Sequence, residues 1–374
     1  MIYLDNAATT FFKPVSVINA VSNSLKYLSA NPTRSSHSLA VRAGILVEET
    51  RELAAKEFGC SPEKVIFTMS CTDALNTAIF GTVKRGGHIV TTALEHNSVL
   101  RPLMRLRQLG IIDYTAVNPL GGGFVTPEQI NAAIRPNTYM IIVNHVSNVT
   151  GACQPVSDIG YLADKLGLLF LVDGAQSIGY MPVNMKTDKI SMLSAAPHKG
   201  LHAPQGLGLL MINGDVKVQP MRYGGTGTES TKPQPTVLPE ALESGTLPTP
   251  AVAGLNAALK WHAEGFKDMR KKLNGLFWYT MSELKKMHKI TVYTPDESIN
   301  NIISFSIKGM SSADAGNILS DEYDICVRSG LHCAPLIHKH YGTLGNGMVR
   351  VGLGVDNDIN ELNFFLQAVK ELSK

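Results

Sequence analysis

Two side chains in the middle of the chain carry the groups of an electron-sink chemistry. Lys199, preceded by His198, offers a primary amine that can bind a carbonyl covalently, and Asp173, at the head of Asp173, Gly174, Ala175, Gln176, offers a carboxylate. Together they meet two needs of pyridoxal phosphate: an amine for its aldehyde and an acid facing its ring nitrogen, so that the ring takes up electrons from a substrate carbanion. Asp173 ends the apolar run from Leu168 to Val172, which reads as a buried strand. Its side chain is therefore expected at a carboxyl edge, where open α/β sheets collect ligands. Each half of this signal is weak alone, since most lysines are solvated and acids at strand ends are common.

Such a cofactor also needs an anion seat. Ser70, Cys71, Thr72 and Asp73 follow the strand-like run Val65 to Thr68 and open a helix at Ala74, Leu75, Ala78 and Ile79. Backbone amides and two hydroxyls then converge on a helix N-terminus, which favours a phosphate. An ordinary cap, in which Ser70 or Thr72 bonds its own helix, accounts for the same residues. His96, within Glu95, His96, Asn97, reads either as a satisfied loop histidine or as an aromatic lid on a ring; Asn148 is a further polar residue just past a strand.

Composition sets the outer bounds. With 374 residues, 44% hydrophobic and 17% charged, the chain can bury a large core and is long enough for two domains. A formal net charge of +3 without a dense Lys/Arg tract calls for neither nucleic acid nor an anionic membrane. No apolar stretch approaches the roughly 18 residues of a membrane span, and Met1 to Asp5 lack a basic leader region, so a cytoplasmic protein is expected. Five cysteines, at 60, 71, 153, 326 and 333, are odd in number and lack CxxC spacing. That argues against a disulfide framework and a structural zinc site, and Cys60, Cys153 and Cys326 read as small apolar fillers.

The elements that must position these groups alternate along the chain. Ile18, Val21, Leu25 and Leu28 share a helical face after Pro14, and Leu39, Ala43, Leu46, Leu53 and Ala54 predict a second helix. Runs 65–68, 89–92, 139–143, 168–173 and 207–212 predict strands, most of them separated by helix-length segments such as 126–134, capped by Thr126 with Pro127 in its first turn, and 155–166. This alternation implies a largely parallel, doubly wound α/β sheet. A Gly-, Thr- and Pro-rich stretch from 224 to 250 reads as the exit from this large domain. A long helical region over 251–287 follows, then strands at 302–307, 325–328 and 348–351 with helices at 312–319 and 358–372, the pattern of a smaller α+β domain.

In this order the segments resemble the cysteine desulfurases of the NifS-like group, within the class V, fold type I pyridoxal phosphate enzymes. The resemblance runs from Tyr3, Leu4, Asp5, Asn6, Ala7, Ala8, Thr9, Thr10 through Ser70 to Asn76, Glu95 with His96, and Ser147, Asn148, Val149, Thr150, Gly151. It continues through Asp173 to Gln176 and His198 with Lys199, and closes at Arg328, Ser329, Gly330, Leu331, His332, Cys333, Ala334. It implies a large cofactor domain over 15–250 and a small domain made of 1–14 and 251–374 that carries a catalytic cysteine loop. Lys199 would hold the cofactor covalently, Asp173 would pair with the pyridine nitrogen, and Gln176 and Asn148 would lie near the ring hydroxyl. His96 would stack on the ring and serve catalysis; Cys71, Thr72 and His198 would contribute to the phosphate site. Thr246 resembles the position that reaches the phosphate of a partner subunit, which implies a homodimer. Arg350 resembles the arginine that binds the substrate carboxylate, beside Asn148, a role suited to a planar bidentate donor.

Cys333 separates the possible reactions. The thiolate is the nucleophile, so a reactive cysteine wants cationic or hydrogen-bonding neighbours, and His332, Arg328, His338 and His340 lie close in sequence. The resemblance implies conversion of L-cysteine to L-alanine with sulfur left on Cys333 as a persulfide, then passed to an acceptor protein, for iron-sulfur clusters or another sulfur-containing product. A selenocysteine lyase acting on L-selenocysteine, a cystine or cysteine C–S lyase, and a class V aminotransferase would share the cofactor residues. A metal-binding module built from His332, Cys333, His338 and His340 is the alternative of a different class, although the spacing matches no usual zinc pattern. The chain departs from the family pattern at Ala196 and Pro197, where Ser and Gly usually precede the His and Lys, and at Ala203, where glycine is usual before Pro204. The first departure implies a missing hydroxyl contact near the cofactor.

Overall fold

The computed structural model describes residues 1–374 apart from 33–35, 122 and 299. At its centre lies a seven-stranded sheet whose spatial order is Val65–Thr68, Gly208–Ile212, Met192–Ala195, Leu169–Asp173, Thr138–Asn144, Gly87–Thr92 and Ile112–Val117. Only Gly208–Ile212 runs antiparallel to its neighbours; the other pairings are parallel. Strands of such a sheet are buried on both faces, so they lack polar alternation. Thr138–Asn144 illustrates this: Ile141 and Val143 join Val90, Phe170 and Val172 in one apolar cluster, while Met140 and Ile142 join Ile89 and Leu171 in another.

A second sheet takes the order Arg328–Gly330, Met348–Gly352, Ile302–Ile307 and Ile290–Val292, all antiparallel. The N-terminal strand Ile2–Tyr3 pairs in parallel with Ile325–Cys326, and Asp5 bridges to Gly352. Between the sheets runs the helix Thr249–Lys285, 37 residues and so about 55 Å long. Its first half places Val252, Leu255 and Leu259 in the core of the large sheet, and its second half places Leu273, Phe277 and Met281 in that of the small one.

The first helix, Val15–Tyr27, departs from the expected pattern. Val17 and Ser24 are its buried residues, whereas Ile18 and Leu25 face outward, 55% and 61% exposed. The helix is therefore apolar on more than its packed side. Strands Ile112–Val117 and Met192–Ala195 and helices Asn97–Gln108 and Pro335–His340 had no clear sequence signal, each being short, polar or interrupted by proline. Among the described residues no helix is long and apolar enough to cross a membrane.

Candidate active site

The carboxyl ends of the central strands open into a cleft of about 560 Å³, lined among others by Cys71, Thr72, His96, Asn148, Asp173, Gln176, His198 and Lys199. Asp173 ends its strand opposite Asn144 on one side and Ser194 on the other. Its Oδ1 accepts the Ala175 N–H at 2.9 Å, and the Cys71 Sγ lies 3.6 Å away. Lys199 sits in the turn after Met192–Ala195, where its N–H donates to the Ala196 carbonyl at 3.0 Å. Burial, reinforced by the Arg350 guanidinium, lowers the lysine amine to about 8. A buried amine near neutrality is the form that attacks a carbonyl.

The N-terminal segment braces this turn. Thr10 Oγ1 donates to the His198 carbonyl at 3.0 Å, and Thr9 Oγ1 shares a hydrogen bond of 3.0 Å with His198 Nδ1. The turn thus keeps hydroxyl contacts although Ala196 and Pro197 bring none. Ala203, which donates to the Pro197 carbonyl at 3.0 Å, has no left-handed backbone and so needs no glycine.

Helix Cys71–Gly81 points its N-terminus at the cleft. Ser70 caps it by accepting the Asp73 N–H at 3.2 Å, the ordinary cap that the sequence offers for these residues. Its approach depends on Gly208, where a Cβ would overlap the Ser70 backbone. Thr72 Oγ1 and His96 Nδ1 meet on Ser98 Oγ, at 2.7 and 2.8 Å. His96 also caps the next helix by accepting the Ser98 N–H at 3.0 Å, and burial lowers its pKa, keeping it neutral. Ser98 was not foreseen; its only sequence signal is its place beside a histidine that caps a helix. Glu95, also unassigned, is fully buried, which pushes its carboxyl up to about 8. It accepts from Thr92 Oγ1 at 2.6 Å and the Asn144 N–H at 3.0 Å, joining two strand ends beside Asp173.

Pyridoxal phosphate fits this donor set. Among the described residues Asn148 Oδ1 and Gln176 Oε1, buried at the cleft wall, have no hydrogen-bond partner, as a ring hydroxyl would require. Among the described residues Asp173 Oδ2 receives no hydrogen bond, which leaves it free for a protonated ring nitrogen. Thr246 lies elsewhere, exposed in a second cleft with Asp73 and Arg222.

Arg350 lies on a strand of the small sheet and Cys333 on a loop that leaves it, and both segments bond to Asn148, which lines the cleft. The loop after Arg328–Gly330 holds His332 and Cys333 in left-handed backbone, with φ of 49° and 57°. Asn148 Nδ2 donates to the His332 carbonyl at 2.6 Å, and the Asn97 N–H, next to His96, donates to the Cys333 carbonyl at 2.7 Å. The Cys333 thiol is exposed. Arg350 is buried; Nη2 donates to Asp5 Oδ1 at 3.0 Å and Nη1 to the Asn148 carbonyl at 2.9 Å, while Nε has no partner among the described residues.

Of the neighbours expected to be cationic or hydrogen-bonding, His332 and His338 are not cations. Burial and Arg350 push His332 down to about 2, and burial takes His338 to about 4, so both rings are neutral. Positive charge near the loop resides on Arg350 and Arg328. Nor do these residues assemble a metal centre: His332 and His338 stack at 5.9 Å, His338 Nδ1 is bonded to Thr343 Oγ1 at 2.8 Å, and among the described residues no three His, Cys, Asp or Glu side chains converge.

Comparison with known proteins agrees with this geometry. The sequence matches the aminotransferase class-V family over residues 2–365. A Methanothermobacter thermautotrophicus protein named "Probable cysteine desulfurase" is 32% identical over 100% of this chain and 94% of its own length. The "Cysteine desulfurase IscS" of Dictyoglomus turgidum is 28% identical over 99% of this chain and 94% of its own. The apo structure of a cysteine desulfurase from Thermococcus onnurineus NA1 superposes with a TM-score of 0.92 at 31% identity, covering 100% of this chain and 94% of that one. The chain therefore belongs to the aminotransferase class-V family and, within it, to the NifS-like cysteine desulfurases.

Proposed function

We propose that the protein is a pyridoxal phosphate-dependent cysteine desulfurase that converts L-cysteine to L-alanine and leaves the sulfur on Cys333. The observation that carries this reading is the tie between the cysteine loop and the cleft, through Asn148 to His332 and Asn97 to Cys333. It ties the loop that carries Cys333 to Asn148, which lines the same cleft as Lys199 and Asp173.

Bound there, the cofactor supplies an electron sink for negative charge developing on the amino acid. Asp173 would keep that sink effective by pairing with the ring nitrogen, Gln176 and Asn148 would hold the ring hydroxyl, and His96 would cover the ring. The helix start at Cys71 and Thr72, with His198, would seat the phosphate, and Thr246 would serve the phosphate of a second subunit in a homodimer. Arg350, already oriented by Asp5, binds the substrate carboxylate. Lys199, neutral near pH 8, takes the Cα proton. The Cys333 thiolate then attacks the substrate sulfur: the S–S bond forms, the Cβ–S bond breaks with its electron pair staying on carbon, a proton added at Cβ makes the methyl group, and Lys199 returns the proton to Cα to complete alanine. Residues 15–250 house the cofactor in this scheme, while 1–14 with 251–374 carry the sulfur relay. The exposed Cys333 suits delivery to an acceptor protein in the cytoplasm, for iron-sulfur assembly or another sulfur-requiring product.

The test is to incubate the cofactor-loaded protein with L-cysteine, quantify alanine, and weigh the Cys333 peptide. One added sulfur atom, absent in Cys333→Ala, supports the proposal; alanine release at an unchanged rate in Cys333→Ala overturns it. Parallel rates on L-selenocysteine and cystine separate the related lyases.

A further inference from the structure

The Cys71 side chain departs from the phosphate role suggested by its place at a helix start. Its Sγ lies 3.6 Å from Asp173 Oδ1 and 3.5 Å from Ser194 Oγ, so the thiol faces the strand ends while its backbone remains in the helix turn. Burial, with the neighbouring Asp173 charge, raises the thiol well above its ordinary range, so it stays protonated and can donate. Of its two acceptors the carboxylate is the stronger, because hydrogen bonds to an ionised group exceed neutral ones. Ser194 Oγ has its own acceptor in the Val172 carbonyl at 3.4 Å. Two donors thus converge on the same carboxylate oxygen, the Ala175 N–H and the Cys71 S–H, while Oδ2 receives none among the described residues.

We infer that Cys71 is a positioning residue for Asp173: its thiol and the Ala175 N–H together occupy Oδ1, fix the carboxylate rotamer and present Oδ2 to the cofactor's ring nitrogen. The inference rests on the proposed cofactor chemistry and adds to it a side chain, the Cys71 thiol, that acts through Asp173, apart from the backbone of the same residue at the helix start. A backbone N–H alone pins one oxygen but leaves the carboxylate freer to rotate about its bond to Cβ; the second donor, coming from the neighbouring helix, restrains that rotation.

The test is a double-mutant cycle of Cys71→Ala and Asp173→Ala, read by the affinity for pyridoxal phosphate and by the pH titration of its visible absorbance. Cys71→Ala should weaken binding about fivefold and shift the titration, Cys71→Ser should restore both to within about twofold, and in the Asp173→Ala background, which has no carboxylate to position, Cys71→Ala should change neither. Equal effects of Cys71→Ala with and without Asp173 would mean simple cleft packing and overturn the inference, as would an unaltered titration in Cys71→Ala. Failure of the wild-type protein to bind the cofactor would overturn the functional reading and this inference together; wild-type binding with an inert Cys71→Ala would overturn the inference alone.

Discussion

Asn148→Ala should uncouple the sulfur-accepting loop from the cofactor cleft. His332 and Cys333 both hold left-handed backbone, which costs a non-glycine residue about 1–2 kcal/mol each. Set against that cost are three hydrogen bonds, from Asn148 Nδ2 to His332, from the Asn97 N–H to Cys333, and from the Ala334 N–H to Leu331, each contributing about 1 kcal/mol net. The loop is therefore close to balance. Truncating Asn148 also strands a carbonyl it had satisfied, for a loss of about 1–3 kcal/mol, and the lower half of that range already corresponds to about a tenfold fall in the fraction of molecules with the loop in place. Arg350 keeps its contact, because it bonds the main-chain carbonyl of residue 148. Rapid-quench mass spectrometry at saturating cofactor and L-cysteine should show first-turnover persulfide on Cys333 forming about tenfold more slowly. Iodoacetamide labelling of Cys333 in the cofactor-free protein should report the freed loop independently of cofactor contacts. Wild-type values in both measurements would refute the tether.

Four other outcomes follow from the geometry. Because burial and Arg350 bring Lys199 from 10.5 to about 8, cofactor capture should rise with pH through about 8 and then level off; a flat profile between about pH 6 and pH 10 would count against a working lysine. The same displacement, shared by the half-buried Lys13 at about 8, should make the cofactor-free protein more stable as pH rises from about 8 toward 10.5, since there the unfolded chain holds protons that the native chain has released. Asp173→Asn should still capture the cofactor yet slow persulfide formation about 100-fold, and a near-normal rate would remove ring protonation from the mechanism. Arg51 and Glu243 form a buried bidentate pair at 3.0 and 2.7 Å, so Arg51→Leu, which strands the carboxylate, should cost about 3–5 kcal/mol in urea unfolding; a loss below about 1 kcal/mol would show the pair to be inessential.

Part of the fold was legible because its signals are local. Val65–Thr68 and Ile302–Ile307 emerge with the bounds their apolar runs imply, and Thr126 with Gln129 forms the capping box that a threonine before proline announces. Met192–Ala195 was not legible, although it delivers Lys199: four residues with a serine among them have no periodicity, and their strand character comes from hydrogen bonds to Leu171–Asp173 and Leu209–Ile212. The helix Val15–Tyr27 shows the converse, since Ile18 and Leu25 complete an apolar stripe that the fold leaves outside. At the site, nearness in sequence offers Cys333 cationic or hydrogen-bonding neighbours in Arg328 and three histidines without saying which carry charge; burial makes His332 and His338 neutral and leaves the charge to Arg328 and to Arg350, which is distant in sequence.

Residue type and order were sufficient to name the chemistry. A lysine after a histidine, an acid closing an apolar run and a cysteine after Arg328 to His332 carry their functional groups wherever the chain goes, and their sequence is shared with a family. What each group can do depended on neighbours brought from far along the chain. Lys199 acquires its near-neutral amine from burial and from Arg350, Cys333 meets the cleft through Asn148 and Asn97, and Cys71 turns from the anion seat toward Asp173. Protonation, hydrogen-bond geometry and exposure are sums over surrounding atoms, and those surroundings exist only once the two sheets have packed on either half of one long helix.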